Sequence, residues 1–355
     1  MRPRASCRVQ ASAKRARLAE ERVAPILAGE EPSTGVLRRR TVGERTRVLY
    51  QKSALDFLRQ TKLGAEPPPS AVDKALEREL DRFFLTGEGT APGRTLFYAL
   101  RWWLCLRNEQ LPLSSEARRG HGRVQRPVLQ EPETWEHTLL TALALMQEPQ
   151  SKTPIATRAV VASGLLLSFD LYGRAHDLIK ALKSELRGPL PHQRSGPASR
   201  WTLTLYPITA DLMSKTRTQD ETLIIGSSNP RRAWLQCLGP ALKQFRPSDH
   251  RLSAMDPKEY QSLFAQGRQL AKLGPSNLHR LRHGGASADA LQTGIDSISD
   301  RELAHRGRWK SMNSIRRYRQ PARYLRQLQA LSSAQLLKVE LAETVMSRLL
   351  TQALK

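Results

Sequence analysis

Two stretches decide the fold: Leu278-His-Arg-Leu-Arg-His-Gly-Gly-Ala-Ser287 and Gly307-Arg-Trp-Lys-Ser-Met-Asn-Ser-Ile-Arg-Arg-Tyr318. In the first, His279 and Arg282 are three residues apart, so on a helix they share one face. On that face an imidazole can transfer a proton while the guanidinium binds the oxygens of the same phosphate. The pattern therefore indicates phosphate chemistry on a helix.

The charge of the chain indicates a polyanionic partner. Its 355 residues include 57 Lys and Arg against 33 Asp and Glu, a net charge of +24. Nucleic acid is the commonest large polyanion, and arginine, which dominates the basic runs, binds phosphate oxygens bidentately. A membrane surface is a weaker interpretation because no basic amphipathic helix with bulky apolar anchors stands out. A basic surface that serves only solubility is the remaining alternative.

Cysteine usage and hydropathy set the expected compartment. Cys7, Cys105 and Cys237 lie far apart, which speaks against a disulfide framework and against clustered zinc ligands. The chain has no uncharged apolar run of about 18 residues, so we expect no membrane span. We expect an intracellular protein without metal or cofactor: nuclear in a eukaryote, in the nucleoid or cytoplasm of a bacterium.

The pattern divides the chain into four predicted segments. They are a basic, disordered arm (1–43), a helical domain (44–148), a mostly helical domain with a small antiparallel sheet (149–330) and a C-terminal amphipathic helix (331–355). The fold class is therefore mainly α. No acid precedes Glu20, so an organelle transit peptide is an alternative for the arm.

The first domain is predicted as four helices. Two of them span 44–62 and 94–108, and the others begin near Ser70 and Glu133. Ser70 with Asp73 resembles a capping box. The Gly, Pro and Arg residues of 111–132 predict a loop.

The second domain mixes helices with two strands. Helices are predicted at 154–169 and 174–186, and alternating residues predict strands at 201–206 and 222–225. Asp256 followed by a proline is a helix N-cap signal.

Taken together, these motifs resemble the tyrosine recombinase, or phage integrase, family of DNA breaking and rejoining enzymes. That family has His-x-x-Arg, then His or Trp, then a nucleophilic Tyr nine residues later, and the step from Trp309 to Tyr318 matches. The motifs cover residues 150–330, whereas 44–148 has only a general likeness to the family's helical core-binding domain. In chain order the resemblance assigns these catalytic residues: Arg174, Lys215, His279, Arg282, Trp309 and Tyr318.

The upstream arginine departs from the family's Gly-Leu-Arg-x-x-Glu-Leu pattern. Gly173 replaces the leucine and Asp177 the glutamate, and we expect Asp177 to hold Arg174 by a charge-assisted hydrogen bond. Lys215 lies in a polar turn between the two predicted strands, as the family's lysine does.

The resemblance implies a role for each residue. Tyr318 attacks the phosphodiester, and His279 accepts its proton. Arg174 and Arg282 neutralise the non-bridging oxygens, the task that a metal ion performs in other phosphotransferases. Lys215 protonates the leaving 5′-oxygen. The covalent 3′-phosphotyrosine conserves the bond energy, so rejoining needs no ATP.

Further residues surround this set. Trp309 offers an indole N–H to a phosphate oxygen, whereas we expect a structural role for His283, which points elsewhere on its helix. Tyr324 is the rival nucleophile, but its position fifteen residues after Trp309 favours packing. The arginines predicted to follow the DNA backbone are Arg306, Arg308, Arg316, Arg317 and Arg319.

The resemblance implies site-specific recombination or integration on double-stranded DNA, by a homo-oligomer of four protomers on two DNA sites. The Arg-rich style is similar to recombinases of eukaryotic mobile elements. A topoisomerase of type IB is one alternative, which the compact segment from His279 to Tyr318 disfavours. A catalytically inactive, domesticated DNA-binding protein is another.

The tail carries an apolar stripe at four-residue steps: Leu337, Leu341, Val345 and Leu349. A helix must bury such a stripe. The tail is therefore predicted to fold back on its own domain or to dock on a neighbouring protomer, and the sequence leaves both open.

Overall fold

The computed structural model describes ten stretches of the chain: 42–64, 67–124, 131–189, 200–207, 221–227, 229–246, 250–253, 255–292, 298–309 and 311–355. The predicted arm up to residue 41 and Lys215 lie outside them. The chain forms two compact units, one up to Val128 and one from Leu129. Within the described stretches, no helix has the length and apolarity needed to cross a membrane.

The described part of the first unit is helical. Its α-helices are α1 (Glu44–Gln60), α2 (Pro69–Leu85), α3 (Thr90–Trp103) and α4 (Pro112–Val124). Helix α3 packs on α1 and α2, and α4 packs on α2. Leu76 and Leu100 are fully buried in the core that they share.

Helix α4 occupies residues 112–124 of the stretch 111–132 that the sequence predicts as a loop, and the cause is a cap from another helix. The Asp73 carboxylate of α2 accepts hydrogen bonds from the backbone amides of Leu113 (3.0 Å) and Ser114 (2.9 Å). These first-turn amides have no partner inside their own helix. Asp73 therefore stabilises the start of α4, and the capping box predicted for it with Ser70 does not form; α2 begins at Pro69 without a side-chain cap.

The second unit contains most of the predicted motifs. Its α-helices are α5 (Trp135–Gln147), α6 (Ile155–Asp170), α7 (Ala175–Ile179), α8 (Leu238–Gln244), α9 (Pro257–Leu270), α10 (His279–Asp289), α11 (Asp300–Gly307), α12 (Met312–Tyr318), α13 (Pro321–Gln329) and α14 (Ser333–Ala353). Short 3₁₀ helices lie at Asn108–Gln110 in the first unit and at Lys183–Glu185 and Pro230–Cys237 in the second. Asp256 caps α9 as predicted, because its side chain accepts from the Lys258 amide.

Helix α5 lies in the second unit rather than in the first. It packs against α6, α9 and α14, and it is buried on nearly all sides. Its sequence, WEHTLLTALALMQ, is apolar around most of its circumference, which suits the centre of a larger core. The division between the units therefore precedes α5, whereas the sequence places the boundary after it.

The sheet is antiparallel, with described strands in the order β1 (Leu186–Arg187), β2 (Thr202–Leu205) and β3 (Glu221–Ile224). Leu203 pairs with Leu186 on one side and with Leu223 on the other. The two strands predicted from alternation are confirmed. Strand β1 begins at the last residue of the helix predicted at 174–186, and its two residues are too few to give a periodic signal.

Helix α10 packs unusually close to its neighbours. A Cβ atom at Gly284 would overlap the carbonyl oxygen of Glu133, and one at Gly285 would overlap that of Phe169. Glycine is required at both positions because the helix lies against the main chain of other segments. This contact places the His-x-x-Arg face next to the end of α6.

Helix α14 folds back on its own unit. It packs on α5, α6 and α8 through Val339, Ala342, Met346 and Leu350, which are all buried. The predicted stripe is only partly right: Leu337 is 67% exposed and Leu341 48%. Steps of four residues drift around a helix of 3.6 residues per turn, whereas the observed face mixes steps of three and four.

Candidate active site

Helix α10 carries the two residues of the His-x-x-Arg motif at its start. Arg282 is fully buried, and it donates to the carbonyl oxygens of Tyr172 (2.6 Å) and Gly307. Burial, followed by the charges of Arg308 and Arg174, lowers the pKa of Arg282 to about 10. The guanidinium is therefore still cationic at neutral pH.

Tyr318 and His279 meet at this face. The Tyr318 hydroxyl lies 3.3 Å from Nε2 of His279, and its carbonyl oxygen accepts from Ser287 (3.0 Å). Tyr318 is the last residue of α12, which Ser311 caps and Ile315 anchors in the core. The geometry suits proton transfer from the hydroxyl to the imidazole.

Aromatic rings pack around the tyrosine. Trp309 stacks on Tyr318 with centroids 4.7 Å apart, and Tyr172 stacks on Trp309 at 6.0 Å. The Arg282 guanidinium lies 5.0 Å from the Trp309 centroid and 5.3 Å from that of Tyr318. The described residues offer no hydrogen-bond partner to the buried Nε of Arg282 or to the indole N–H of Trp309.

His283 is closer to the site than its predicted structural role requires. Its ring packs on Tyr318 with centroids 4.4 Å apart and meets His279 edge to face at 5.1 Å. The prediction that it points elsewhere is wrong, because i and i+4 on a helix are neighbours. Burial, followed by the charges of His279 and Arg282, lowers the pKa of His283 to about 4. The imidazole is therefore neutral at pH 7.

Asp177 is buried, but it holds Arg174 differently from what we predicted. It accepts from the backbone amide of Arg174 (2.9 Å), the hydroxyl of Tyr206 (2.5 Å) and the guanidinium of Arg308 (2.7 Å). Burial raises the pKa of Asp177, but Arg308 and Tyr206 outweigh it, and the net shift is downward. Asp177 thus positions the main chain of Arg174, whose half-buried side chain is near enough to affect Arg282.

Two arginines predicted to follow DNA hold the protein together instead. Arg306 donates to the carbonyl oxygen of Asp170 and to Ser227, and Arg308 is buried against Asp177 and Glu221. An Arg-rich run does not show by itself which members face inward. The remaining candidates, Arg316, Arg317 and Arg319, are exposed; Arg319 pairs with Asp300 at 2.8 Å.

The structure describes the surroundings of Tyr324 but not those of Lys215. Tyr324 is 5% exposed, and its hydroxyl accepts from the Trp135 amide at 3.0 Å. Its predicted packing role is confirmed. Lys215 belongs to the connection between β2 and β3 and lies outside the described residues.

A buried charged network beneath the site was not foreseen. Arg232 pairs with Asp170 and Asp289, and Asp289 also accepts from the Tyr172 hydroxyl. Asp170 accepts in turn from the backbone amide of Gly226, just after β3 (2.7 Å). Because these residues are distant in the chain, no spacing rule could have grouped them.

The fold is similar to those of a site-specific recombinase and an integrase of known structure. Among solved structures, the chain is similar to the XerH site-specific recombinase bound to a palindromic difH substrate, with a TM-score of 0.54, 12% identity and coverage of 79% of this chain and 77% of that one. It is also similar to lambda integrase residues 75–356 bound to DNA, with a TM-score of 0.51, 14% identity and coverage of 88% and 97%.

A third similar structure is a lambda integrase dimer bound to a COC′ core site, with a TM-score of 0.52, 14% identity and coverage of 85% of this chain and 76% of that one. No protein-family model and no curated protein matches the sequence. At these levels of identity the likeness shows the fold alone.

Proposed function

We propose that the protein cleaves and rejoins DNA strands through a covalent phosphotyrosine at Tyr318, as a site-specific recombinase. The observation that carries the proposal is the meeting of Tyr318, His279 and Arg282. The Tyr318 hydroxyl lies 3.3 Å from Nε2 of His279, and the centroid of the Tyr318 ring lies 5.3 Å from the buried guanidinium of Arg282. A nucleophile, a proton acceptor and a phosphate ligand are the parts that such a reaction needs.

The unpaired donors support a phosphate at this position. Arg282 has five N–H groups and donates through Nη1 and Nη2 to two carbonyls, while its Nε has no partner among the described residues. The indole N–H of Trp309 is a second such donor. Buried donors without partners are rare, and an oxyanion would satisfy both.

We propose the following reaction for this site. The Tyr318 oxygen attacks phosphorus as His279 takes its proton, while Arg282 and Arg174 stabilise the charge that builds on the non-bridging oxygens. The bond to the 5′-oxygen breaks, and that oxygen needs a proton, which we assign to Lys215. Attack by a 5′-hydroxyl on the phosphotyrosine reverses the steps, so we propose that neither a metal ion nor ATP is needed.

Double-stranded DNA is the proposed partner of both units. In the first unit Arg94, Arg119 and Arg123 are exposed on α3 and α4, and in the second Arg316 and Arg317 are exposed on α12. Such side chains suit phosphate contacts. XerH and lambda integrase are bound to DNA in the similar structures, and one of these is a dimer. We propose a homo-oligomer here, with four protomers on two DNA sites.

The decisive test traps the intermediate. Purified protein is mixed with a random-sequence duplex library that carries a nick in one strand, so that the short cleaved fragment diffuses away. We expect an adduct that survives denaturation, with DNA attached to the peptide containing Tyr318, in EDTA as well as in magnesium. No adduct, or attachment elsewhere, would contradict the proposal. Efficient relaxation of supercoiled plasmid by the monomer would favour a topoisomerase instead.

A further inference from the structure

Tyr172 follows α6 in a conformation that side chains rarely adopt. Its φ is 47°, in the left-handed region, and the residue is completely buried. A bulky residue with positive φ persists only where its surroundings fix it, and such residues cluster at functional sites. The backbone carbonyl, the ring and the hydroxyl of Tyr172 each have a defined contact.

The backbone turn aims the Tyr172 carbonyl at two arginines. Its oxygen accepts from Arg282 Nη1 at 2.6 Å and from Arg308 Nη2 at 3.1 Å. Arg282 is therefore fixed at one end by Tyr172 and at the other by the carbonyl of Gly307. The orientation of the proposed phosphate ligand depends on this turn.

The ring begins an aromatic column, which we define as Tyr172, Trp309 and Tyr318. Successive centroids are 6.0 and 4.7 Å apart, and successive planes differ by 19° and 23°. Tyr172 is the fully buried member, whereas Trp309 and Tyr318 are half-buried. The position of the nucleophile's ring is thus set from inside the protein.

The Tyr172 hydroxyl lies at the inner end of the column, and the ring keeps its place there through packing as well. The hydroxyl donates to Asp289 at the last turn of α10, and Asp289 is itself paired with the buried Arg232. Burial and the Asp289 charge raise the pKa of Tyr172, so the hydroxyl stays a donor. The same helix therefore carries His279 at its start and the anchor of the column at its end.

We propose that Tyr172 is a positioning residue for strand cleavage: through the aromatic column it holds Tyr318 within reach of His279, and through its carbonyl it orients Arg282. This inference rests on the proposed function. It assigns Tyr172 no contact with DNA. Its loss should lower the rate of bond cleavage while leaving DNA affinity unchanged.

The test compares Tyr172→Phe, which keeps the aromatic ring, with Tyr172→Leu, which replaces the planar ring with an aliphatic side chain. Single-turnover adduct formation and DNA affinity are measured on the nicked duplex library. For Tyr172→Leu we expect an adduct rate at least about 30-fold lower with affinity within about threefold of wild type. Tyr172→Phe should recover the rate to within about fivefold. Tyr260→Leu, which removes another fully buried tyrosine of the same unit, is the matched control.

A second measurement does not depend on activity. Tetranitromethane nitrates accessible tyrosines, and mass spectrometry follows Tyr318 and the buried Tyr324 separately. Tyr172→Leu should speed nitration of Tyr318 at least about fivefold while Tyr324 stays protected, and Tyr172→Phe should match wild type. If Tyr172→Leu does not fold, Tyr172→Met fills the same space without a plane.

The two hypotheses fail in different ways. If wild-type protein forms no adduct, the proposed function is wrong, and the nitration rates still decide whether the column positions Tyr318. If Tyr172→Leu matches wild type in nitration of Tyr318, or cleaves at the wild-type rate, the positioning role is wrong. An equal loss of cleavage in Tyr260→Leu would reduce the effect to general destabilisation.

Discussion

Tyr318 and His279 are 39 residues apart in the chain, yet the hydroxyl of one lies 3.3 Å from Nε2 of the other. Helix α10 presents the imidazole, and α12 ends at the tyrosine. The pair therefore depends on how two helices pack rather than on a local loop. This relationship defines the first experiment on the site.

Tyr318→Phe should abolish covalent adducts and leave DNA affinity unchanged. The variant keeps the ring in the aromatic column and removes only the oxygen that we propose as the nucleophile. Adducts are counted on the nicked library by denaturing electrophoresis. Tyr324→Phe, whose hydroxyl binds the Trp135 amide inside the core, should still form adducts. Adducts from Tyr318→Phe would transfer the role to another residue.

Arg282→Lys should lose almost as much activity as Arg282→Ala. Arg282 binds two carbonyls through two different nitrogens, and a single ammonium cannot hold both and a phosphate as well. We expect single-turnover cleavage to fall about 10²–10³-fold in both variants. Arg301→Lys, an exposed change on α11, serves as the control. Rescue by lysine to within a few-fold would mean that only the charge matters.

Arg308→Ala should lower the free energy of unfolding and leave the salt dependence of DNA binding unchanged. It removes a cation from the buried Asp177, and breaking a buried pair costs about 3–5 kcal/mol. Urea unfolding measures this loss. The exposed Arg316→Ala should instead reduce the log–log salt slope by about 0.9 and change stability by about 0.5 kcal/mol or less. The reverse result would make Arg308 a phosphate ligand after all.

His283 predicts how stability depends on pH. Its pKa falls from 6.5 to about 4 on folding, so between these values the unfolded chain binds more protons. The free energy of unfolding should therefore decrease as the pH is lowered from 6.5 towards 4, with on the order of 3 kcal/mol from this residue. His283→Phe keeps an aromatic ring against Tyr318 and should remove the contribution of His283 to this pH dependence. Identical pH profiles for the two proteins would contradict the assignment.

Helix α14 should contribute to the stability of its own unit. Met346 is fully buried, so Met346→Ala should cost about 2–5 kcal/mol in urea unfolding. Leu337→Ala, at a position 67% exposed, should change stability by about 0.5 kcal/mol or less. Equal losses of stability in Met346→Ala and Leu337→Ala would mean that α14 does not pack on its unit as described. A deletion of 331–355 that leaves stability unchanged would mean the same.

Sequence spacing was informative where the contacts are local. His279 and Arg282 share one helix, and the nine-residue step from Trp309 to Tyr318 spans one turn and one short helix, so both patterns survive folding. The alternating strands were likewise readable, because burial of one face imposes the period. These features carried the fold and most of the described candidate site.

Spacing was uninformative where the partner is distant. Asp73 caps α4, which begins about 40 residues further along the chain. The stretch is therefore helical, although its own sequence predicts a loop. Arg308 faces inward because Asp177 needs a counter-charge, and no pattern within an arginine run reports that. The role of Tyr172 depends on a backbone angle and on contacts with two distant segments, α10 and residues 308–309. Its sequence context contains neither.

The close packing of Gly284 and Gly285 limits which parts of the site can move. At these two positions main chain lies against main chain with no side chain between them, so we expect α10, which carries His279 and Arg282, to shift little. If Tyr318 acts as proposed, a change between an inactive and an active arrangement of the site would involve α12, which ends at Tyr318, rather than α10. In the proposed recombinase, contacts with DNA or with another protomer would then control cleavage through α12.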